Sequence, residues 1–402
     1  MTSAPDTQTD VVIVGARCAG AATALLLARA GVRVTVLDRS HAGADTLSTH
    51  ALMRTGVLQL HRWGLADDIR RAGVPPVTRT VFRYGTDETV VTIRPIPGVD
   101  ALYAPRRTLL DRILIEAAQE AGADVHFDTT VTGVERDHAG KVSGVRAHTV
   151  NGDAFTVSAP LSVGADGLGS RFSRWVDAPT ERAGAHAGAV IYAYVGGLDN
   201  RGYEWFYSPG VAAGVIPTNG DVSCVFVGMP DARFRQLHRN DIHTAFTTVL
   251  PEVSAELAAR VRGGVVLPRL RSYPGIAGYQ RRPWGAGWAL VGDAACHRDP
   301  LSARGISDAL RDAELLARAI IAGLGDRSAI RALECSLEGY RVVRNRLSHH
   351  LFSTTDAIAS YAWDLDTIPE LLRSLAAAQA DEVTFLSELD APSLTYASAE
   401  RR

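Results

Sequence analysis

Three carboxylates stand where they could hold a nucleotide. Asp38, Asp166 and Asp293 each follow a short apolar stretch, and the last two have a glycine neighbour, Gly167 and Gly292. A carboxylate at the end of a strand can accept hydrogen bonds from sugar hydroxyls, and the backbone N–H groups of the adjoining turn and helix start can bind phosphates. The residue types and their spacing therefore predict a dinucleotide site.

A glycine-containing turn precedes the first carboxylate. The β-branched run 11–14 leads into Gly15 and Gly20, but Arg17 replaces the middle glycine of the G-x-G-x-x-G pattern. The first glycine makes the tight turn, the second lets the backbone approach a pyrophosphate, and the third lets the helix pack on the strand. Arg17 can still supply a backbone N–H if its side chain points outward. Two roles stay open for its guanidinium, covering the phosphates or contacting only solvent.

The elements around this turn form a complete βαβ unit. An alanine- and leucine-rich helix is predicted over 19–30 and a second buried strand over 32–37. Asp38 stands 23 positions after Gly15, a distance at which an acidic residue suits a ribose hydroxyl. We expect Arg39, the next residue, to contact the cofactor as well.

The composition argues against several classes of protein. The 402 residues carry a net charge of −2, so we expect no nucleic-acid partner. Four cysteines without C-x-x-C spacing predict neither a metal site nor a disulfide framework, which favours a reduced cytoplasmic environment. The N-terminus is polar, and no apolar run reaches the roughly 18–20 residues of a membrane span.

Two further segments, 163–170 and 288–305, complete a three-part pattern. Each begins as an apolar strand and turns at an Asp–Gly or Gly–Asp pair. Together with the N-terminal turn, they resemble the FAD-dependent aromatic hydroxylases, the group A flavoprotein monooxygenases of the p-hydroxybenzoate hydroxylase type. The resemblance extends to about residue 350. It implies that FAD is the cofactor.

The resemblance also implies roles for individual residues. Asp166–Gly167 matches the DG motif, linked to FAD and NAD(P)H binding, and Gly292–Asp293 matches the GD motif. The backbone amides of 303–305 are expected at the flavin pyrimidine ring. The full set of expected FAD contacts is Gly15, Arg17, Gly20, Asp38, Arg39, Arg54, Arg107, Asp166, Gly167, Gly292, Asp293, Ala303, Arg304 and Gly305.

Three departures from the family pattern indicate a divergent branch. Arg17 replaces a glycine, the segment between His297 and Gly305 is one residue shorter than usual, and Ser307 stands where many relatives carry asparagine. These departures bear on the flavin-ring contacts and on the substrate more than on the cofactor.

The element pattern predicts an α/β fold, with a Rossmann-like FAD-binding domain, an inserted β-sheet substrate domain and C-terminal helices. The predicted boundaries are 1–177 and 286–330 for the FAD-binding domain, 178–285 for the substrate domain and 331–402 for the helices. The helices are expected to cover the flavin domain or to form the face of a homodimer.

Aromatic residues of the predicted substrate sheet are candidates for substrate contacts. Strand alternation places Tyr192 and Tyr194 on one face, and likewise Trp205 and Tyr207. These side chains either stack against a planar substrate or belong to the core.

The resemblance implies a reaction in which NADPH or NADH reduces FAD. O2 then forms a C4a-hydroperoxyflavin, which transfers one oxygen atom to an aromatic or polyketide-like small molecule of secondary metabolism. His50 and His297 are the candidate acid–base residues because histidine titrates near neutral pH. Pro300 is expected to border the flavin edge. Either histidine could instead be structural.

Three other functions compete with this prediction. An FAD-dependent reductase of the geranylgeranyl-reductase type shares the fold and the Gly–Asp–Ala turn. A flavin halogenase needs an active-site lysine, and the single lysine, Lys141, falls in a predicted hairpin turn. A non-catalytic flavin-binding protein would not need three intact nucleotide-handling segments.

Overall fold

The computed structural model describes residues 7–237, 241–325 and 331–390, and this part of the chain contains 21 strands and 11 α-helices. In chain order the strands are β1 (Thr7–Gln8), β2 (Val11–Val14), β3 (Val34–Leu37), β4 (Arg79–Tyr84), β5 (Asp87–Thr92), β6 (Asp124–His126), β7 (Thr129–Arg136), β8 (Val142–Thr149), β9 (Ala154–Ser158), β10 (Leu161–Gly164), β11 (Thr180–Ala183), β12 (Gly188–Gly196), β13 (Tyr203–Ser208), β14 (Val211–Thr218), β15 (Val222–Pro230), β16 (Val265–Val266), β17 (Arg271–Tyr273), β18 (Tyr279–Arg281), β19 (Trp284–Gly285), β20 (Trp288–Leu290) and β21 (Cys296–His297). The helices are α1 (Cys18–Arg29), α2 (Arg54–Arg62), α3 (Ala66–Arg71), α4 (Arg107–Glu120), α5 (Arg171–Trp175), α6 (Asp231–Leu237), α7 (Ile242–Val253), α8 (Ala255–Gly263), α9 (Gly305–Gly325), α10 (Ala332–Ala359) and α11 (Ile368–Glu388), with short 3₁₀ turns at Gly292–Ala294 and Pro300–Ser302.

A six-stranded sheet carries the nucleotide-type turns. Its order is β19-β20-β10-β2-β3-β6, and its strands are parallel except for the pairing of β19 with β20. Its four central strands are short apolar runs buried on both faces, as parallel strands usually are. Val14 pairs with Leu37 and with Gly164, and Gly164 pairs with Leu290. This register brings the three predicted motifs to one edge of the sheet.

Both faces of this sheet are covered. Val11 and Ile13 belong to a core with the leucines of α1 and α9, while Val12 and Val14 pack towards the four-stranded sheet β1-β9-β8-β7. The Rossmann-like α/β architecture predicted from the sequence is thereby confirmed.

The second large sheet has the order β16-β12-β15-β14-β13-β4-β5, and β17 also pairs with β12. The predicted alternation is present: Ile191, Ala193 and Val195 pack under α6–α8, whereas Tyr192 and Tyr194 face the opposite core. Two of its strands, β4 and β5, lie within the range 1–177 assigned to the FAD-binding domain, so this sheet is not a single insertion. Sequence alone could not place them, because β4 joins the sheet by pairing with β13, more than a hundred residues away in the chain, and β5 joins through β4.

The C-terminal helices join the two cores. Leu337 and Tyr340 of α10 pack in the core of the six-stranded sheet, while Leu351 and Ile358 pack beneath the second sheet. Helix α11 makes the same connection. The dimer face expected of these helices stays a prediction. In the described ranges, no helix has the length and apolar character needed to cross a membrane.

The close packing of α1 on its turn gives a direct test. A Cβ on Gly20 would lie 1.9 Å from the carbonyl oxygen of Gly15, so Gly20→Ala should lower the free energy of unfolding by about 1–3 kcal/mol and reduce the bound FAD. Chemical denaturation and the ratio of flavin to protein absorbance would measure both effects.

The matched control is Gly339→Ala on α10, where a Cβ meets no atom within 4 Å. This exposed helical position should gain up to about 1 kcal/mol of stability and keep its flavin. Equal effects of the two substitutions would contradict the packing argument.

Candidate functional site

A cavity of about 540 Å³ opens where the turns of the six-stranded sheet meet the second sheet. Its wall combines the glycine turn, the ends of β3 and β10, the start of α9 and part of the second sheet. The lining residues are 14–15, 17–19, 37–40, 46–51, 107, 129–131, 165–169, 171, 174–175, 190, 192, 273, 293, 297–298, 300, 303–306 and 309.

The glycines of the turns allow backbones to approach closely. Gly15 has φ of +108°, and a Cβ there would lie 2.5 Å from the carbonyl oxygen of Ala165. Gly292 has φ of +63°, and its Cβ would lie 2.8 Å from the Cβ of Ala19. Gly20 and Gly292 do not line the cavity, so they shape it through packing rather than through contact.

The side chain of Arg17 is held by protein groups. Its Nη1 donates to Asp111 Oδ2 at 3.1 Å and to the carbonyl of Ala44, and the side chain is 28% exposed. Asp111 also accepts two hydrogen bonds from Arg107, each 3.1 Å long. Arg17 therefore does not contact only solvent, as one interpretation of the sequence had it. Contact with a phosphate stays a prediction, since both arginines line the cavity.

Asp38 fastens the glycine turn to the end of β3. Its Oδ2 accepts the N–H of Ala16 at 2.7 Å, and its Oδ1 accepts the N–H of Ser40 at 2.7 Å. Each carboxylate oxygen has a second lone pair, which leaves capacity for a ribose hydroxyl. Arg39 is exposed beside it at the cavity.

Asp166 shapes the loop before α5. Its Oδ2 accepts the N–H groups of Arg171 and Phe172 at 2.7 and 3.0 Å, and its Oδ1 accepts the Ser170 hydroxyl at 2.5 Å. These bonds satisfy N–H groups at the start of the helix. Because Asp166 is engaged in this way, its neighbour Gly167 offers the more open ligand surface.

The segment before α9 presents backbone N–H groups to the cavity. Ala303 has φ of +51°, and Gly305 begins a helix of 21 residues. The first turn of a helix has unpaired N–H groups and a partial positive charge, which suits an electron-rich ring edge. Asp293 lies on the same wall, with 41% of its side chain exposed and its Oδ1 3.7 Å from His297 Nδ1.

His50 is buried in the wall facing the second sheet. It has φ of +71°, and its Nε2 lies 2.5 Å from the hydroxyl oxygen of Tyr194. Burial, followed by the positive charges of Arg106, Arg107 and Arg271, lowers the pKa of His50 to about 3. Its Nδ1 finds no partner among the described residues. This environment favours a neutral hydrogen-bonding role over the proton-accepting role predicted from the sequence.

His297 lines the cavity near Pro300, three residues before it in the chain. Its Nε2 is 3.0 Å from the hydroxyl oxygen of Tyr273, and both residues line the cavity together with Pro300. Asp299, which precedes Pro300 in the chain, accepts the N–H of Gly188 at 2.6 Å. Burial raises the pKa of Asp299 to about 6.

Several predicted residues lie outside the cavity. Arg54 donates to the carbonyl oxygen of Arg94 at 2.9 Å and does not line it. Tyr194, Trp205 and Tyr207 are also absent from the lining; Trp205 packs near Phe226, with ring centroids 5.9 Å apart. Of the four aromatic candidates, Tyr192 reaches the cavity wall.

Tyr273 and Arg298 are among the lining residues that sequence reasoning missed. Arg298 directly follows His297, and that proximity to the GD motif was an available signal. Tyr273 had no signal, because its position depends on the pairing of β17 with Val190 of β12.

The comparisons with known proteins agree with this geometry. The model of the FAD binding domain family matches residues 8–335. The chain belongs to this family. It is therefore a flavin-dependent oxidoreductase.

Individual relatives differ in activity. Digeranylgeranylglycerophospholipid reductase 1 of Methanococcoides burtonii is 26% identical over 322 residues, covering 78% of this chain and 74% of the reductase. 2,4-Dichlorophenol 6-monooxygenase of Cupriavidus pinatubonensis is 27% identical over 237 residues, covering 55% of this chain and 39% of that enzyme. The structure of the flavin-dependent brominase Bmp2 superposes with a TM-score of 0.78 at 20% identity, over 95% of this chain and 100% of that one, and shows a shared fold.

The cavity wall fits FAD on the evidence of its own residues. Cβ atoms on Gly167, Gly169 and Gly305 would meet no atom within 4 Å, so the backbone borders free space at three places. Asp38 and Asp293 present carboxylate oxygens at the same wall.

The buried neutral histidine predicts a pH dependence of stability. The pKa of His50 is about 3 in the folded protein, below its unfolded value near 6.5, so the unfolded chain binds the extra proton between these pH values. The neutral His50 contributes to the free energy of unfolding above pH 6.5. This contribution is lost as the pH falls towards 3, by up to about 1.4 kcal/mol per pH unit.

His50→Asn tests this, because asparagine tolerates a positive φ. Unfolding free energies between pH 7 and 4 should fall less steeply for His50→Asn than for the wild type, while Tyr194→Phe, which keeps the imidazole, should retain the wild-type slope. If the unfolding free energy falls with pH at the same slope in all three proteins, the low pKa assigned to His50 is wrong.

Arg17→Gly should retain FAD, because the guanidinium is engaged with Asp111 and Ala44. It should cost about 1 kcal/mol of stability through the lost ion pair. Arg17→Met, which keeps the length and removes the charge, is the control. Loss of flavin absorbance from both variants would instead identify Arg17 as a phosphate ligand.

Proposed function

We propose that this protein is an FAD-dependent monooxygenase of the p-hydroxybenzoate hydroxylase type, in a divergent branch. It uses NADPH or NADH and O2 to insert one oxygen atom into an aromatic or polyketide-like small molecule. One observation carries the proposal. A single cavity extends from the nucleotide-type turn at Asp38 to the sheet wall at Val190 and Tyr192. A cofactor bound along it would have its reactive end beside the predicted substrate sheet.

When bound, FAD supplies the redox and oxygen chemistry, and the protein binds, orients and excludes water. The hydroxyl of Tyr192 accepts the N–H of Ser48 at 3.2 Å, which links the sheet to the 46–51 loop. Arg106 lies over the ring of Tyr194, 3.9 Å from its centroid. These contacts fix the Tyr194–His50 pair in one geometry.

We assign to His50 the binding of a substrate hydroxyl group by a hydrogen bond. Its neutral ring has one nitrogen at Tyr194 and a second, Nδ1, without a partner among the described residues. This nitrogen is buried, so the wall at His50 must shift before a substrate hydroxyl can donate to it and be oriented without a full proton transfer. His297, which contacts Tyr273, and Pro300 would border the same cavity.

The electron donor is assigned to the loop between β10 and α5 together with α5 itself. Leu168 and Arg171 are exposed there while lining the cavity, as is Arg174. An apolar and cationic surface at a cavity mouth suits a nicotinamide nucleotide. The proposal also includes NADPH or NADH as the electron donor, assembly as a homodimer and a cytoplasmic location.

A reductase of the geranylgeranyl-reductase type is the second candidate. The archaeal reductase matches a larger share of this chain than the dichlorophenol monooxygenase does. A halogenase is disfavoured, because Lys141 lies in the turn between β7 and β8, away from the cavity.

Turnover with and without oxygen separates the two candidates. The holoprotein is mixed with NADPH or NADH and either a panel of phenols or a geranylgeranyl lipid. A monooxygenase should consume oxygen and place labelled oxygen from ¹⁸O2 into a phenol, and anaerobically it should stop after one reduction of its flavin.

A reductase should turn over anaerobically and saturate the polyprenyl chain. His50→Asn serves as the comparison, since it should raise the KM for a phenol more than it changes flavin content. Sustained anaerobic turnover would reject the monooxygenase proposal.

A further inference from the structure

A cluster of buried charges lies behind the cavity wall at the start of α9. Arg304 bridges Asp308 and Glu382: its Nη2 donates to Asp308 Oδ1 at 3.1 Å and also to Glu382. Arg311 contacts the other oxygen of Glu382 and donates to Asp312 at 2.7 Å. Glu382 comes from α11 and is fully buried, so this helix contributes a carboxylate to the cluster behind the wall.

Positive charge exceeds negative charge in this cluster. Its described members are Arg298, Arg304, Arg311 and Arg344 against Asp308, Asp312 and Glu382. Burial would raise the pKa of Asp308, but the guanidinium groups of Arg298, Arg304 and Arg311 lower it below its usual value. Burial raises the pKa of Asp312, while the guanidinium groups of Arg311 and Arg344 act to lower it.

Several guanidinium nitrogens also have no acceptor. Nε and Nη1 of both Arg298 and Arg304, and Nη1 of Arg344, are buried without a partner among the described residues. A buried cation without full compensation is costly. Arg298 and Arg304 both belong to the cavity wall, and the adjacent helix start adds positive potential. The cavity is therefore where a compensating negative charge would be most favourable.

We propose that Arg298 and Arg304 stabilise negative charge on the flavin and set its midpoint potential, with Glu382 of α11 as the positioning residue of Arg304 and Asp308 as the partner of Arg298. This inference rests on the proposed position of the flavin ring beside 303–305. The reduced flavin carries more negative charge than the oxidised form. A larger net positive charge behind the wall consequently raises the potential, and a smaller one lowers it.

The experiment measures the midpoint potential of the purified holoprotein by anaerobic dye equilibration. Glu382→Gln keeps the shape and removes one negative charge, so the potential should rise. Arg304→Met removes one positive charge, so the potential should fall. A tenfold change in the preference for the reduced form corresponds to about 30 mV for a two-electron couple, and we expect changes of this order. Arg298→Met is the second charge-removing variant if Arg304→Met does not fold.

Glu314→Gln is the matched control. Glu314 is a buried glutamate of α9 that pairs with Arg62 and Arg318 at 3.0 and 2.7 Å but does not line the cavity. This variant should lose stability and keep the wild-type potential. A higher potential for Glu382→Gln together with a lower potential for Arg304→Met supports the proposal; no shift, shifts of the same sign or both shifts reversed overturn it.

The two proposals fail in different ways. If no oxygen transfer is found but the potentials shift as expected, the monooxygenase assignment fails and the electrostatic role stands. If oxygen transfer is found and the potentials do not respond, the electrostatic role fails alone.

Discussion

Gly15, Gly20 and Ala165 meet where β2 and β10 end, and the space between them cannot hold a further side-chain carbon. This contact fixes the start of α1 against the end of the sheet. Because β3 and β20 end in register with the same two strands, the carboxylates that follow them reach the same cavity. The positions of Asp38 and Asp293 thus depend on a backbone approach that only glycine permits.

A second constraint is the burial of the part of the wall that contains His50. His50 and its hydrogen-bond partner Tyr194 are buried, and three nearby arginines further disfavour a charged imidazole. A neutral imidazole can orient a hydroxyl but is a weak base at neutral pH. In the proposed function, the nucleotide would occupy the end of the cavity at Asp38, and the substrate would meet uncharged hydrogen-bonding groups at His50 and Tyr192.

The C-terminal helices have a role beyond covering the fold. Helices α10 and α11 enter both cores, and Glu382 brings a carboxylate to the arginines behind the cavity. Packing of the helices and electrostatics at the cavity are consequently coupled. A substitution on α11 can alter the site without touching a ligand.

The sequence by itself determined the βαβ unit, the glycine and aspartate turns and the FAD family, because these depend on residues close together in the chain. It also determined which residues of β12 share a face, since strand alternation is local. Tertiary structure decided the rest. The pairing of Arg17 with Asp111, the inclusion of β4 and β5 in the second sheet, and the entry of Tyr192 but not Trp205 into the cavity all depend on distant segments. So does the meeting of Arg304 with Glu382, 78 residues apart. Such contacts are set by the packing of whole helices and sheets, and no local pattern encodes them.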